Sequence, residues 1–225
     1  MAGKSYAQAS GETNLPNYGR ARVHFGFILG VNTTNFFVQP IANLSGHFQD
    51  TVKSIRSSPV AGFNLGIVSE LKIGKYLRLR FVPDLAFGER DLLFSIAGKD
   101  TFTINKKTTS TFIDFPLDLK LISKRLNNFE AYVLAGGKYV TDLASQKNVN
   151  ESLLGDNEVI RLIRNDFAYE AGGGLEFYFP YFKFAIELKA SLGIRNLLVY
   201  DNTIFTQSIQ TLRSRMFLVS FCFEG

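Results

Sequence analysis

Between Asp166 and Leu192 the chain alternates side-chain character at nearly every step, in two runs on either side of Pro180. One face carries Phe167, Tyr169, Ala171, Leu175, Phe177 and Phe179, then Phe182, Phe184, Ile186, Leu188, Ala190 and Leu192. The positions between hold Ala168, Glu170, Gly172, Gly174, Glu176 and Tyr178, then Lys183, Ala185, Glu187, Lys189 and Ser191. A period of two marks a strand whose two faces meet different surroundings. The stretch is therefore a hairpin with an aromatic and aliphatic wall on one side and glycine and charge on the other.

The same alternation predicts strands over 21–32, 60–73, 76–90, 109–122, 129–140 and 213–225. With the hairpin this makes eight. Residues 33–59, 91–108, 141–165 and 193–211 are polar or irregular and read as long loops. Residues 92–96 can extend the third strand, and 158–164 can form one or two helical turns. Gly74-Lys75, residues 123–128 and the Pro180 segment are short turns. Long and short connections thus alternate, which in an up-and-down meander puts all long loops on one rim and all short turns with both termini on the other. Pro83 and Pro116 oppose a closed sheet, since proline cannot donate to a ladder, and are expected at bulges or distorted pairs.

Summed over the eight strands, the apolar faces hold 40 residues, fifteen of them Phe, out of 22 Phe in the chain. The interior of an eight-stranded barrel is just wide enough to be filled by side chains. That wall does not fit inside, whereas Gly26, Gly30, Gly62, Gly66, Gly136, Gly172 and Gly174 do. Facing water, it would far exceed the apolar patch a soluble monomer tolerates. It must face lipid. The fold expected is an all-β, eight-stranded antiparallel up-and-down transmembrane β-barrel with a filled lumen, four long extracellular loops and three short periplasmic turns. Residues 21–225 form this single outer-membrane domain. Residues 1–20 form an N-terminal periplasmic segment, in which Ala7-Gln8-Ala9 resembles the small-residue site of a signal remnant without an apolar stretch before it. Tyr178 to Phe182, Phe129, Phe221 and Phe223 are expected at the membrane interface.

The lumen face then gathers Glu70, Asp84, Asp114, Asp118, Glu130, Glu170, Glu176, Glu187 and Glu224 with Arg78, Arg80, Lys120, Lys138, Lys183 and Lys189. Such a set is satisfied only by paired, hydrogen-bonded networks and water. It is read as a structural network that leaves no wide pore.

Other chemistry finds little support. The formal charge of +5 is scattered, with no basic helix or stripe, which argues against nucleic acid. His24 and His47 are the only histidines, and Cys222 the only cysteine, so no cysteine cluster or intrachain disulfide can form. His24 reads as an interior hydrogen-bonded histidine and Cys222 as a small interior residue. Ala171-Gly172-Gly173-Gly174 lacks the Lys-Ser/Thr of a phosphate loop. No catalytic residue, cofactor or metal is expected. Lys53, Arg56, Lys106 and Lys107 can meet lipopolysaccharide phosphates or simply be solvated.

Leu15-Pro16-Asn17-Tyr18, His24-Phe25-Gly26-Phe27, Leu29-Gly30-Val31-Asn32, Gly62-Phe63-Asn64-Leu65-Gly66, and the strand Leu79-Arg80-Phe81-x-Pro83-x-Leu85-x-Phe87-Gly88-Glu89-Arg90 resemble the PorT-like outer-membrane β-barrels. The resemblance covers nearly the whole chain and is densest from 15 to 90. It implies a non-enzymatic component of the type IX protein-secretion and gliding machinery, docking with other outer-membrane or periplasmic parts of the machine. The alternatives are an adhesion or membrane-integrity barrel and an outer-membrane enzyme acting on lipid or protein, with His24 and Asp114 as the residues to test.

Overall fold

In hydrocarbon a backbone N–H or C=O has no water to turn to, so a spanning strand must pair on both sides and the sheet must close. The computed structural model, which describes residues 14–41, 52–96, 102–143, 162–200 and 204–225, shows this closure. After a single 3-10 turn at Tyr18–Arg20 come β1 (Val23–Pro40), β2 (Val52–Lys72), β3 (Leu77–Phe81), β4 (Asp84–Ile96), β5 (Phe102–Ile122), β6 (Phe129–Asp142), β7 (Asn165–Tyr178), β8 (Lys183–Gly193) and β9 (Ile209–Glu224). Each pairs antiparallel with its neighbours, and β1 meets both β2 and β9. β3 and β4 are two halves of one stave, so the ring has eight staves.

The break between those halves is a proline effect. Pairing with β5 keeps one register across it, Phe81 opposite Leu117 and Asp84 opposite Asp114. Between them Val82 donates to the Pro116 carbonyl at 3.4 Å, and Pro116 has no N–H to return the bond. Pro83 lies next in line. The two prolines therefore share one gap in the ladder, and the Ile67 N–H recovers the Pro83 carbonyl at 3.0 Å.

The outward face is the apolar one: Phe25 is 63% exposed and Tyr181 89%. Rings touch around the short-turn end in a band through Phe129, Phe177, Phe184, Phe223 and Phe27, with centroids 4.9 to 6.4 Å apart. That is the aromatic girdle of a membrane interface. Tyr178 is not part of it. Its ring is buried in the barrel mouth, and its hydroxyl donates to Glu130 Oε2 at 2.9 Å, because its parity in β7 is that of Glu176.

Residues 92–96 do extend the third stave, with β4 running to Ile96, and several segments expected as loop are strand as well: β1 continues to Pro40, β2 begins at Val52 and β5 begins at Phe102. Where strands rise out of the bilayer their outward positions turn polar, as at Gln39, Arg56 and Arg213, so the apolar alternation that reveals a membrane strand fades. Above Thr34 and Val60, β1 and β2 no longer pair, and β1 stays with β9 while β2 stays with β4. The interior there is apolar: Phe36, Ile55, Leu92, Phe94, Ile209 and Leu212 pack with Leu162, Leu197 and Leu198 from the loops. Leu162 to Arg164 is not helical: Leu162 is bridged to Leu198, the Ile163 N–H donates to the Leu197 carbonyl at 2.8 Å, and the chain bends at Arg164. The rest of the expected helical turns, 158–161, lies outside the described residues. A short helix α1 (Ile204–Gln207) precedes β9.

Glycine in the wall answers to geometry. A Cβ on Gly136 would stand 2.2 Å from the Leu117 carbonyl oxygen and 2.4 Å from Asp118 Oδ1, whereas one on the adjacent, outward Gly137 meets nothing closer than 3.6 Å. Gly136→Ala is expected to cost about 1–3 kcal/mol through strand displacement and to reduce the heat-modifiable folded band on a gel. Gly137→Ala should leave both the band and the urea midpoint unchanged.

Candidate functional site

Fifteen ionisable side chains project into the lumen from alternate positions of the staves, and the structure buries every one of the nine acids and six bases expected there. They are organised as layers. Lowest, at the short-turn end, Lys183 Nζ stands 2.7 Å from Glu224 Oε2, 3.0 Å from Glu176 Oε1 and 3.5 Å from Glu70 Oε1. Lys120 reaches Glu70 at 2.7 Å and also binds Glu176, while Arg78 holds the other Glu70 oxygen at 2.5 Å. Three carboxylates this close would repel one another without the ammonium groups between them. Glu70, Glu176 and Glu224 are spaced as a metal ligand set would be, yet Lys183 and Lys120 already stand among their oxygens.

One layer up, Arg80 Nη1 binds Glu187 Oε2 at 2.5 Å and its Nη2 lies 3.0 Å from Cys222 Sγ. The Tyr132 hydroxyl donates to the same Glu187 oxygen at 2.7 Å. Lys189 contacts Glu170 at 3.1 Å and Asp118 at 3.3 Å. Above this, Lys138 meets Asp114 at 2.5 Å. Asn32 donates to Asn64 at 2.6 Å, and Asn64 to Asp84 at 2.9 Å.

Two features of the lumen were not read from the pattern. Arg90, Asp142 and Asp166 are buried at the level where the loops close the barrel, around a cavity of about 10 Å³, the size of one water. The Arg90 guanidinium stacks on Phe112 at 4.2 Å and on Phe36 at 5.0 Å and donates to Ser214 at 3.0 Å. Asp142 lies beyond the strand expected over 129–140, and Asp166 opens the alternating stretch; their parity with Lys138 and Ala168 is the signal that places them in the lumen. The second feature is Tyr18. The turn after Asn17 carries its ring into the barrel mouth, where it stacks on His24 at 3.8 Å and donates to Glu224 at 3.1 Å. Burial, and next the Glu224 carboxylate, push the Tyr18 phenol above its ordinary value, so it remains a neutral donor. His24 is thus an interior stacking partner, and Asp114 is spent on Lys138.

Of the loop bases, Arg56 is exposed; the side chains of Lys53, Lys106 and Lys107 lie outside the described residues.

A family model described as outer membrane protein beta-barrel domain matches residues 6–199. The chain belongs to this family. As an outer-membrane barrel it resides in the bacterial outer membrane, with its short turns toward the periplasm and its long loops outside. No curated protein matches its sequence. Among solved structures it is similar to OprG from Pseudomonas aeruginosa, at 9% identity and TM-score 0.47, over 90% of this chain and 94% of that one. It is also similar to Ail, the attachment invasion locus protein of Yersinia pestis, in complex with the heparin analogue sucrose octasulfate, at 11% identity and TM-score 0.40, over 91% of this chain and 100% of that one. No residue of the barrel takes a role from either.

Removing one member of a buried ion pair leaves a charge stranded in low dielectric, at a cost of about 3–5 kcal/mol. Lys120→Met, which leaves Glu70 to Arg78 and Lys183 and Glu176 to Lys183 alone, is expected to lose about 3 kcal/mol, the low end of that range, in urea unfolding from lipid vesicles. Lys72→Ala, at an exposed site, should stay within about 0.5 kcal/mol of the parent.

Proposed function

We propose that this outer-membrane barrel is a non-enzymatic component of the type IX protein-secretion and gliding machinery, required for export of cargo and acting by docking with other outer-membrane or periplasmic parts of that machine. The observation that carries the docking reading is how the lumen spends its polar groups. Lys120, Lys138, Lys183, Lys189, Arg78 and Arg80 all end on carboxylates of the same barrel. A barrel filled in this way acts through its rims.

The secretion assignment rests on the PorT-like residues, and their places in the fold support treating them as more than a generic strand pattern. Tyr18 closes the mouth, Arg80 ties Glu187 to Cys222, Pro83 interrupts the stave, and Arg90 seals the loop end.

Deleting the gene is expected to retain cargo proteins in the periplasm and to stop gliding in a gliding host, with both restored by the intact gene; normal cargo levels in the medium would sink the assignment. If cell attachment changed while secretion did not, the adhesion reading would replace it. Loss of secretion in a folded His24→Phe or Asp114→Asn barrel that still pulls down its partners would point to an enzyme instead.

A further inference from the structure

The periplasmic rim is one-sided in charge. Arg20, Arg22, Lys72, Lys75 and Lys124 are exposed and Arg125 half-buried, whereas the acidic side chains among the described residues at this end, Glu70, Glu130, Glu176 and Glu224, are all buried. Between the Tyr18 turn, the β2–β3 turn and the β5–β6 turn lies a cleft of about 290 Å³, with Lys72, Lys75, Tyr76, Lys124 and Arg125 around it and Glu130 on its inner wall. Arg78, also on its wall, is paired to Glu70, and its other bases are bound only to neutral groups. Lys72 Nζ donates to the Gly19 carbonyl at 2.5 Å. Arg125 donates to the Asn127 carbonyl at 2.7 Å and to Asn128 Oδ1 at 3.1 Å, with its guanidinium 3.7 Å from the centre of the Tyr178 ring. Lys75 lies 5.2 Å over Tyr76, and neither Lys75 nor Lys124 makes an ion pair among the described residues.

We propose that this cleft is the docking site for an extended, acidic segment of a periplasmic protein. Three observations select that occupant. The uncompensated bases call for carboxylates, and at rim exposure they set approach and selectivity more than tightness. The cleft is walled by lumen-facing side chains, Glu130 and Tyr178, while the outward positions of the same strands carry the aromatic girdle, so it opens to the aqueous mouth and not to lipid headgroups. Glu130 Oε1 is buried and unpartnered, whereas its Oε2 accepts from Tyr178 at 2.9 Å. A peptide supplies a backbone N–H for that oxygen beside its acidic side chains. A volume of this size takes a few residues.

This site gives the docking reading a partner chemistry and rests on that reading for its purpose, but its test does not. Purified full-length barrel in zwitterionic detergent is titrated with a fluorescein-labelled Asp/Glu decapeptide and with a Lys/Arg decapeptide, and the gel shift before and after boiling checks that every variant is folded. The acidic peptide alone is expected to bind. Its dissociation constant should rise about tenfold or more in Lys75→Glu/Lys124→Glu, and again between about 0.05 and about 0.5 M salt, while Arg195→Glu on the opposite rim changes nothing. Equal binding of the two peptides, or undiminished binding by the double variant, overturns the proposal. Displacement of the peptide by short-chain phosphatidylglycerol but not by unlabelled acidic peptide overturns it in favour of a lipid. Failure here with normal dependence of secretion on the gene leaves the docking reading standing and removes only this cleft, whereas peptide binding without any secretion defect does the reverse.

Discussion

Everything in this molecule follows from the absence of water between its backbone groups and the lipid. Closure of the sheet is the only way a stranded chain can cross such a medium, and closure with eight staves produces a lumen too narrow for bulky apolar groups on every inward position. Inward residues are small, as at Gly136, charged and paired with one another, or apolar at positions such as Ile28, Val68 and Leu134, which pack together beside the charges. Lys183 shows the result: a single ammonium lies among Glu70, Glu176 and Glu224, which could not otherwise share one layer. The ionic core is a consequence of closure.

The same constraint explains where regularity is given up. Pro83 and Pro116 lack donors, and the barrel tolerates them by placing both at one interruption, with the register unbroken on either side. Two separate gaps would expose more unpaired backbone to lipid. At the loop end the medium changes to water, and the interior changes with it from ion pairs to the apolar packing of Phe36, Phe94, Leu162 and Leu212. That packing belongs to an ordinary soluble core, and it lets the strands run on beyond the membrane.

Both ends of the lumen are therefore shut by different chemistry, Tyr18 and its hydrogen bond to Glu224 below and the Arg90 stack with the loop leucines above. What is left for interaction is surface. Among the described residues, the periplasmic rim presents bases with no exposed acid beside them. This asymmetry is what directs the functional reading toward the periplasmic face.

Sequence alone determined the strand type, the number of staves, the face toward lipid and fifteen of the buried lumen charges, though not Arg90, Asp142 and Asp166, because a period of two is a local property that each residue carries without reference to its partners. It lost the strands where the outward positions became polar at Gln39 and Arg56, since alternation there no longer separates lipid from lumen. It also placed Tyr178 in the interface by its neighbours' chemistry, although its own parity pointed inward. Only the tertiary structure decided which base meets which acid, that two prolines share one gap, and that Tyr18 reaches back to Glu224. Those facts depend on stagger between strands distant in the chain, and an alternating pattern looks the same under any shift of register by two.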